Sequence, residues 1–301
     1  MAHGDSWILP PGTHVVLRIP VRAAGERRER PAGSTAVVVR SPRDPEHPYR
    51  VRFPDGGEAT VARRHLGLQK HHRRQGLEVV SDEALAPYVI YEVVVGSQAW
   101  GLATEGSDTD LRGVYLPPAD LHWSLYGVPE QIHDGEAVYW ELQKFLRMAL
   151  KANPNVLECL WSPHVRRAED PVAQALRAQR GLFLTKLVHT TYNGYALGQF
   201  KKLEADLRRG EIRWKHAMHL VRILLSGIEA LETGELPVDV GAHRDRLLAI
   251  KAGELPWEEV DAWRKDLHRR FDEAFSRTRL PERPDHGKAN DLLVEARRSR
   301  L

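Results

Sequence analysis

The chain has 301 residues, of which 42% are hydrophobic and 28% are charged, and its formal net charge is +3. These fractions are those of an ordinary globular protein with two or three domains and enough residues for a sizeable core. No apolar run approaches the ~20 residues of a membrane span, so we expect no membrane partner. Cys159 is the only cysteine, which excludes a disulfide framework and a cysteine-based zinc site. Since the N-terminus lacks a signal-peptide pattern, we expect a cytoplasmic protein.

The positive charge is concentrated in the first quarter of the chain. Residues 1–75 contain 14 Lys/Arg and 7 Asp/Glu, a net charge of +7, so the other residues carry −4 of the total of +3. A basic module beside a slightly acidic one favours an anionic macromolecule as a partner, although a basic face also serves solubility.

The first predicted domain, residues 1–75, has the pattern of short β-strands. Strands are expected over 15–19, 36–40, 49–53 and 58–61, the last two joined by the turn at 54–57. Four or five strands in this length predict a small β-barrel, loosely similar to SH3-like or KOW-type modules.

Four arginines of this domain are candidates for nucleic-acid binding: Arg50, Arg52, Arg63 and Arg64. Tyr49 or Phe53 would then stack on a base. The alternative, which we favour, is that the arginines are the solvated faces of ordinary strands and that Phe53 belongs to the core. The run Lys70-His71-His72-Arg73-Arg74 predicts a basic linker, because two neighbouring histidines point apart and rarely share a metal ion.

The stretch 88–118 has the strongest functional signal. A β-branched run ends at Gly96-Ser97, a polar loop follows, and Asp108 and Asp110 open a second apolar segment. Alternate residues of a strand share a face, so both aspartates are predicted to project together, with Leu111 opposite. Two neighbouring carboxylates favour a cation between them, and Mg²⁺ takes oxygen ligands of this kind.

The glycine before the loop fits the same site. Gly96 stands where the backbone must turn sharply and approach a ligand. Ser97 is predicted to begin a helix over 97–102, whose first N–H groups would bind a phosphate. A phosphate site beside a metal-binding carboxylate pair is the outline of a phosphoryl or nucleotidyl transfer site.

These residues resemble a known signature. Gly96-Ser97, Gly101 and Ser107-Asp108-x-Asp110 resemble the G-S…D-x-D motif of the DNA polymerase β-like nucleotidyltransferase superfamily. The full run to Tyr115 is similar to one branch, the predicted nucleotidyltransferases associated with RNA repair. The similarity continues through Asn153-Pro154-Asn155, Glu158 and Lys215-His216-x-x-His219-x-x-Arg222. It implies an α+β protein with a nucleotidyltransferase domain at 76–165 and a helical substrate-binding domain at 166–301.

The resemblance also implies a reaction, in which a nucleoside monophosphate passes from a nucleoside triphosphate such as ATP to an acceptor hydroxyl. It implies two Mg²⁺ ions, for which Mn²⁺ could substitute, and an RNA end as acceptor, with tRNA favoured. In the superfamily a third acid completes the site, and Glu136 falls at that position, ahead of Asp134 and then Glu141. Two alternatives stay open: an enzyme that adenylylates or uridylylates a protein, and a non-catalytic RNA-binding module on the same fold.

Further residues are candidates for nucleotide or phosphate contact: Ser107, Arg112, Lys215, His219 and Arg222. Arg112 is expected on the strand face of Asp110, where a phosphate contact and a pair with a carboxylate are equally favoured. The last three residues stand at i, i+4 and i+7, one stripe of a helix, and the resemblance favours a phosphate over solvent as their partner. Weaker candidates are Thr104, Tyr192, Lys201 and Lys202.

The pattern after residue 118 is mainly helical, with a stop at Asn153-Pro154-Asn155 and a cap at Asp170-Pro171. Helices are predicted over 119–125, 140–152, 182–208, 212–232, 244–252, 257–279 and 288–298. They predict a helical bundle that packs on the nucleotidyltransferase sheet.

Overall fold

The computed structural model describes residues 8–25, 29–42, 47–68, 80–208, 210 and 212–301. The chain separates into two compact units, Met1–Glu78 and Val79–Leu301. The predicted basic linker at 70–74 lies outside the described residues. The predicted boundary at residue 165, between the nucleotidyltransferase domain and the helical domain, stays a prediction.

Short strands build the first unit. They are β1 (His14–Leu17), β2 (Val21–Arg22), β3 (Glu29–Arg30), β4 (Thr35–Arg40), β5 (Tyr49–Arg52), β6 (Glu58–Val61) and β7 (Leu66–Leu68). Five of them form an antiparallel sheet in the order β6-β5-β4-β1-β7, and β2 pairs with β3. Within the described ranges no pairing joins the edge strands β6 and β7, so the predicted barrel is corrected to an open sheet.

The alternation of β5 explains how this sheet buries one face. Tyr49 and Val51 point into the core, while Arg50 and Arg52 point to solvent. The Tyr49 hydroxyl accepts a hydrogen bond from the backbone N–H of Leu9 at 3.1 Å. Phe53 is buried as well. Neither ring is available to stack on a base, and the burial of Phe53 agrees with the alternative that we favour for it.

The second unit combines one mixed sheet with helices. Its strands are β8 (Val89–Val95), β9 (Asp110–Tyr115), β10 (Gln131–Asp134), β11 (Ala137–Glu141) and β12 (Val165–Arg167). The order is β10-β11-β9-β8-β12, in which β11 and β9 are parallel and the other pairs are antiparallel.

Eleven α-helices occur in the described part of this unit. They are α1 (Asp82–Leu85), α2 (Gly96–Ala99), α3 (Ala119–Trp123), α4 (Leu142–Ala149), α5 (Pro154–Trp161), α6 (Pro171–Ala178), α7 (Leu187–Arg208), α8 (Trp214–Thr233), α9 (Arg244–Ala252), α10 (Trp257–Arg277) and α11 (His286–Arg298). One continuous hydrophobic cluster joins the sheet to α4–α11. None of the described helices has the length and apolar character needed to cross a membrane.

Several predicted helix bounds differ from the structure; the helix predicted over 182–208 begins only at Leu187, and the one predicted over 140–152 covers 142–149. Trp140 and Glu141 belong to β11, and α4 begins only at Leu142. Pairing with β9 extends the strand, and the Glu141 carboxylate then caps α4 by accepting the N–H of Gln143 at 2.9 Å. α4 ends at Ala149, before the predicted stop, and Asn153 instead opens the next helix, because its side chain caps α5 and Pro154 takes the first helical position.

Candidate active site

The two halves of the predicted signature meet where β8 ends and β9 begins. Val95 is in register with Asp110, so Gly96, the next residue, lies beside that carboxylate. Gly96 has a φ of +71°, and a Cβ at this position would lie 2.6 Å from Oδ2 of Asp110. The left-handed backbone favours glycine here, and an added Cβ would displace the Asp110 carboxylate. The backbone of this turn therefore lies against the Asp110 carboxylate.

Asp108 lies in the loop before β9, which corrects the prediction that both aspartates stand on one strand face. Gln98 of α2 holds this loop, since its amide Nε2 donates to the Asp108 carbonyl at 3.5 Å and to Oγ1 of Thr109 at 2.7 Å. The Asp108 side chain is exposed and makes no hydrogen bond or ion pair with any described residue. Its carboxylate is free to bind a ligand.

Arg112 joins Asp110 to the turn between β10 and β11. Its Nη1 donates to the Glu136 carbonyl at 3.1 Å, and its Nη2 lies 3.6 Å from Oδ1 of Asp110. Of the two alternatives for Arg112, the structure contains the pair with the carboxylate. Val138 is paired with Arg112 in parallel register, so Glu136, two residues earlier, is level with Asp110. Glu136 is exposed at this turn.

The other two candidate acids have different surroundings. Asp134 is the last residue of β10 and is exposed. Glu141 is in register with Tyr115 at the opposite end of the sheet from Asp110, and Nη2 of Arg297 binds its carboxylate at 2.6 Å. Glu141 is buried, so its role is structural.

The donor set at this end of the sheet suits a hard cation. Mg²⁺ is commonly bound through one or two carboxylates, together with waters and substrate phosphates. Asp108 and Asp110 supply two such carboxylates, and the Asp110 side chain is 46% exposed. No group of three or more His, Cys, Asp or Glu is placed to hold a metal ion among the described residues. A cation bound by Asp108 and Asp110 would therefore take its remaining ligands from waters or other bound groups.

The remaining residues of the loop stabilise turns. The Ser107 hydroxyl accepts the backbone N–H of Thr104 at 2.9 Å, which closes the loop before Asp108. Ser97 lies in α2, which ends at Ala99 and is shorter than the helix predicted over 97–102. The Ser97 carbonyl accepts the N–H of Leu102 at 2.8 Å.

Lys215, His219 and Arg222 all lie on α8, but they do not form a stripe of three cations. Lys215 is exposed. Burial, with the positive charges of Arg222 and Lys215 nearby, lowers the pKa of His219 to about 3, so this ring is neutral at physiological pH. Arg222 is buried and its Nη1 lies 2.6 Å from Oε1 of Glu158. It makes an internal ion pair where a phosphate contact was predicted.

The weaker candidates of the helical region do not lie in one environment. Lys201 and Lys202 are exposed on α7, whereas Tyr192 is fully buried in the core and is not at a cleft rim.

Each of the four candidate arginines of the first unit has a partner within that unit. Arg50 and Arg52 both bind Glu58, at 2.6 and 2.7 Å, and their side chains are more than half exposed. Arg63 donates to a backbone carbonyl and Arg64 to a neighbouring histidine ring. Nucleic-acid binding by these residues stays a prediction.

Sequence reasoning missed Trp100, whose ring contacts Glu158, His219 and Arg222. The available signal was a tryptophan four residues after Gly96, inside the otherwise small and polar loop of the signature.

A profile of the RlaP family, described as the RNA repair pathway DNA polymerase beta family, matches residues 65–295. The chain belongs to this family. Membership confirms the resemblance predicted from the G-S and D-x-D motifs, and the family description indicates polymerase β-like nucleotidyl transfer in RNA repair.

Two curated relatives share parts of the chain. "Uncharacterized protein YcgL" of Bacillus subtilis (strain 168) is 37% identical over 97 residues, which are 31% of this chain and 37% of that protein. "Uncharacterized protein MJ0002" of Methanocaldococcus jannaschii is 25% identical over 218 residues, which are 65% of this chain and 88% of that protein. No solved structure matches the chain significantly.

Proposed function

We propose that the chain is a Mg²⁺-dependent nucleotidyltransferase that adds a nucleoside monophosphate to an RNA end, with tRNA favoured. The observation that supports this best is the packing of Gly96 against Asp110, where an added Cβ would lie 2.6 Å from Oδ2. A backbone turn suited to phosphates thereby adjoins a half-exposed carboxylate suited to a cation. Membership in an RNA repair family supports RNA as the acceptor.

In this reaction an acceptor hydroxyl oxygen bonds to the α-phosphorus and gives up its proton. The bond from the α-phosphorus to the bridging oxygen breaks, and pyrophosphate leaves. Asp108 and Asp110 would hold Mg²⁺ together with the substrate phosphates, and Glu136, on the neighbouring turn, would become the third acid ligand only once the substrate is bound. Bound Mg²⁺ supplies positive charge that activates the hydroxyl and stabilises the leaving pyrophosphate.

The residues around the two aspartates have supporting roles in the proposal. Gly96 lets the backbone approach the triphosphate, because no side chain stands over the turn. Arg112 holds the Glu136 turn through its carbonyl and offsets the charge of Asp110. Gln98 restrains the loop of Asp108 through the backbone, so that carboxylate is left for a ligand.

The test is transfer of label from each nucleoside triphosphate, labelled on its α-phosphate, to total RNA of the source cell in the presence of Mg²⁺. Wild type is compared with Asp110→Asn, and products are digested with nuclease or protease. Nuclease-sensitive label that the variant does not produce supports the proposal and identifies the base. Protease-sensitive label would make the acceptor a protein, and no label with any nucleotide would refute transfer.

A further inference from the structure

A buried ionic cluster is linked to the Gly96-Ser97 turn through Trp100, four residues after Gly96. Glu158 of α5 and Arg222 of α8 pair at 2.6 Å, with side chains only 6% and 8% exposed. The other carboxylate oxygen of Glu158 accepts the indole N–H of Trp100 at 2.9 Å. The guanidinium carbon of Arg222 stands 3.7 Å from the centroid of the Trp100 ring. Three side chains from separate parts of the fold thus bind one another.

A cluster of this kind is poorly explained by stability alone. Burial removes the hydration of both charged groups, and apolar residues of similar volume commonly stabilise a core as well or better. The ionic cluster instead fixes the relative positions of its three side chains. The two carboxylate oxygens have different partners, and the planar guanidinium stacks on the indole while it binds Glu158. Trp100 is thereby fixed in position and in orientation.

The backbone of Trp100 connects this cluster to the catalytic turn. Its N–H donates to the Gly96 carbonyl at 3.0 Å, and its own carbonyl accepts the N–H of Val240 at 3.1 Å. The next residue, Gly101, has a φ of +70° and lies against Asp239, whose Oδ2 would be 2.6 Å from an added Cβ. The segment after the turn is therefore held by both side-chain and backbone contacts.

Gly96 itself has no side chain by which the turn could be held. Its place against Asp110 depends on β8 before it and on Trp100 after it. We infer that Trp100, Glu158 and Arg222 are positioning residues that hold the Gly96-Ser97 backbone against Asp110. Their effect on catalysis rests on the proposed nucleotidyl transfer, whereas their hold on the turn does not. Misplacement of a binding group by about 1 Å can lower a rate by about 100-fold.

Two conservative variants test this inference. Trp100→Phe keeps an aromatic ring for Arg222 but removes the N–H that binds Glu158. Arg222→Lys keeps the charge but removes the planar group that stacks. The matched control is Leu231→Ala, which removes buried volume from the same helix nine residues further on, roughly 13 Å along its axis.

Hydrogen exchange of the backbone amides in 89–102 measures how firmly the turn is held. Nucleotide transfer measures whether the position of the turn affects KM and kcat. Both variants are expected to speed exchange in this segment, to raise the KM for the nucleotide and to lower kcat by about tenfold or more. Leu231→Ala is expected to lower Tm without changing exchange in 89–102, KM or kcat.

Unchanged exchange over 89–102 in both variants would overturn the inference, as would faster exchange with unchanged kcat and KM. A wild-type chain that transfers no nucleotide would refute the proposed function instead. Even in that case, faster exchange in the two variants but not in Leu231→Ala would show that the cluster holds the turn in place.

Discussion

The carboxylate of Asp110 lies against the Cα of Gly96, so closely that a Cβ at Gly96 would meet Oδ2 at 2.6 Å. The pairing of β8 with β9 makes this contact, because Val95 is in register with Asp110. A turn that can approach a phosphate and an acid that can hold a cation therefore occupy one place. Nucleotidyl transfer requires this proximity.

Replacement of Gly96 tests this contact. Gly96→Ala should lower the transfer rate by about 100-fold or more, because its Cβ displaces the Asp110 carboxylate. The control is Gly127→Ala, which has a similar φ of +62° but open space around the added Cβ. Both variants should lose about 1 kcal/mol of stability through backbone strain. Thermal unfolding and label transfer measure the two effects, and equal activity of both variants would show that the contact is unimportant.

Neutral variants of two exposed acids identify the third acid of the site. Glu136 is level with Asp110 across the parallel pair, whereas Asp134 belongs to β10 on the far side of the turn. Glu136→Gln should therefore lower kcat by about 100-fold, and Asp134→Asn should leave it nearly unchanged. Neither change should alter Tm, because both side chains are exposed. The opposite result in the same transfer assay would assign the third acid to Asp134.

One N-terminal arginine offers a test of RNA binding with a closely matched control. The exposed pair of Arg52 with Glu58 is worth at most about 1 kcal/mol, so a phosphate can replace the carboxylate. RNA binding by Arg52 predicts that Arg52→Gln weakens binding several-fold and reduces the slope of log K against log salt by about 0.7. The solvated strand face that we favour predicts no such specific loss. Arg22→Gln removes an equally exposed arginine that pairs with Glu29. Equal effects of the two variants in filter binding would indicate only a general charge effect.

The pH dependence of stability has a definite sign at His122. Burial and the charge of Arg297 lower the pKa of His122 from 6.5 to about 4, so the folded protein keeps this ring neutral. The unfolded chain binds a proton below pH 6.5, and stability therefore falls as the pH drops from 6.5 to about 4. The slope is at most about 1.4 kcal/mol per pH unit, because the two states differ by no more than one proton at this ring.

His122→Gln should flatten this part of the pH profile in thermal unfolding, because glutamine takes no proton. His286→Gln, at an exposed position at the start of α11, is the control and should leave the slope as it is. The same slope in wild type and His122→Gln would mean that another group causes the acid sensitivity.

Local sequence signals predict much of this structure. The bounds of α9 at Arg244–Ala252 agree with the prediction, because Gly253 ends the helix in a left-handed conformation with a φ of +75°. The G-S turn was also predictable, since turn residues act locally. The start of β9 was not, because the strand begins at Asp110 and leaves Asp108 in the loop.

Features that depend on distant contacts were not predictable in the same way. The spacing of Lys215, His219 and Arg222 shows that they share a helix stripe, but not that Glu158 lies opposite Arg222. The strand at Trp140 and Glu141 follows from pairing with β9, which the apolar pattern of those residues does not reveal. Closure of the N-terminal sheet likewise depends on its edge strands, whose pairing no local pattern specifies.

The most direct test of the account follows pyrophosphate release and nucleotide incorporation into RNA together, in wild type and in Asp110→Asn. Asparagine has nearly the size of aspartate, so the packing against Gly96 and the Tm should be kept while a charged ligand is lost. The account predicts one pyrophosphate for each nucleotide that wild type incorporates, and about 100-fold less of both in the variant. Equal incorporation by the two proteins, at equal Tm, would contradict it.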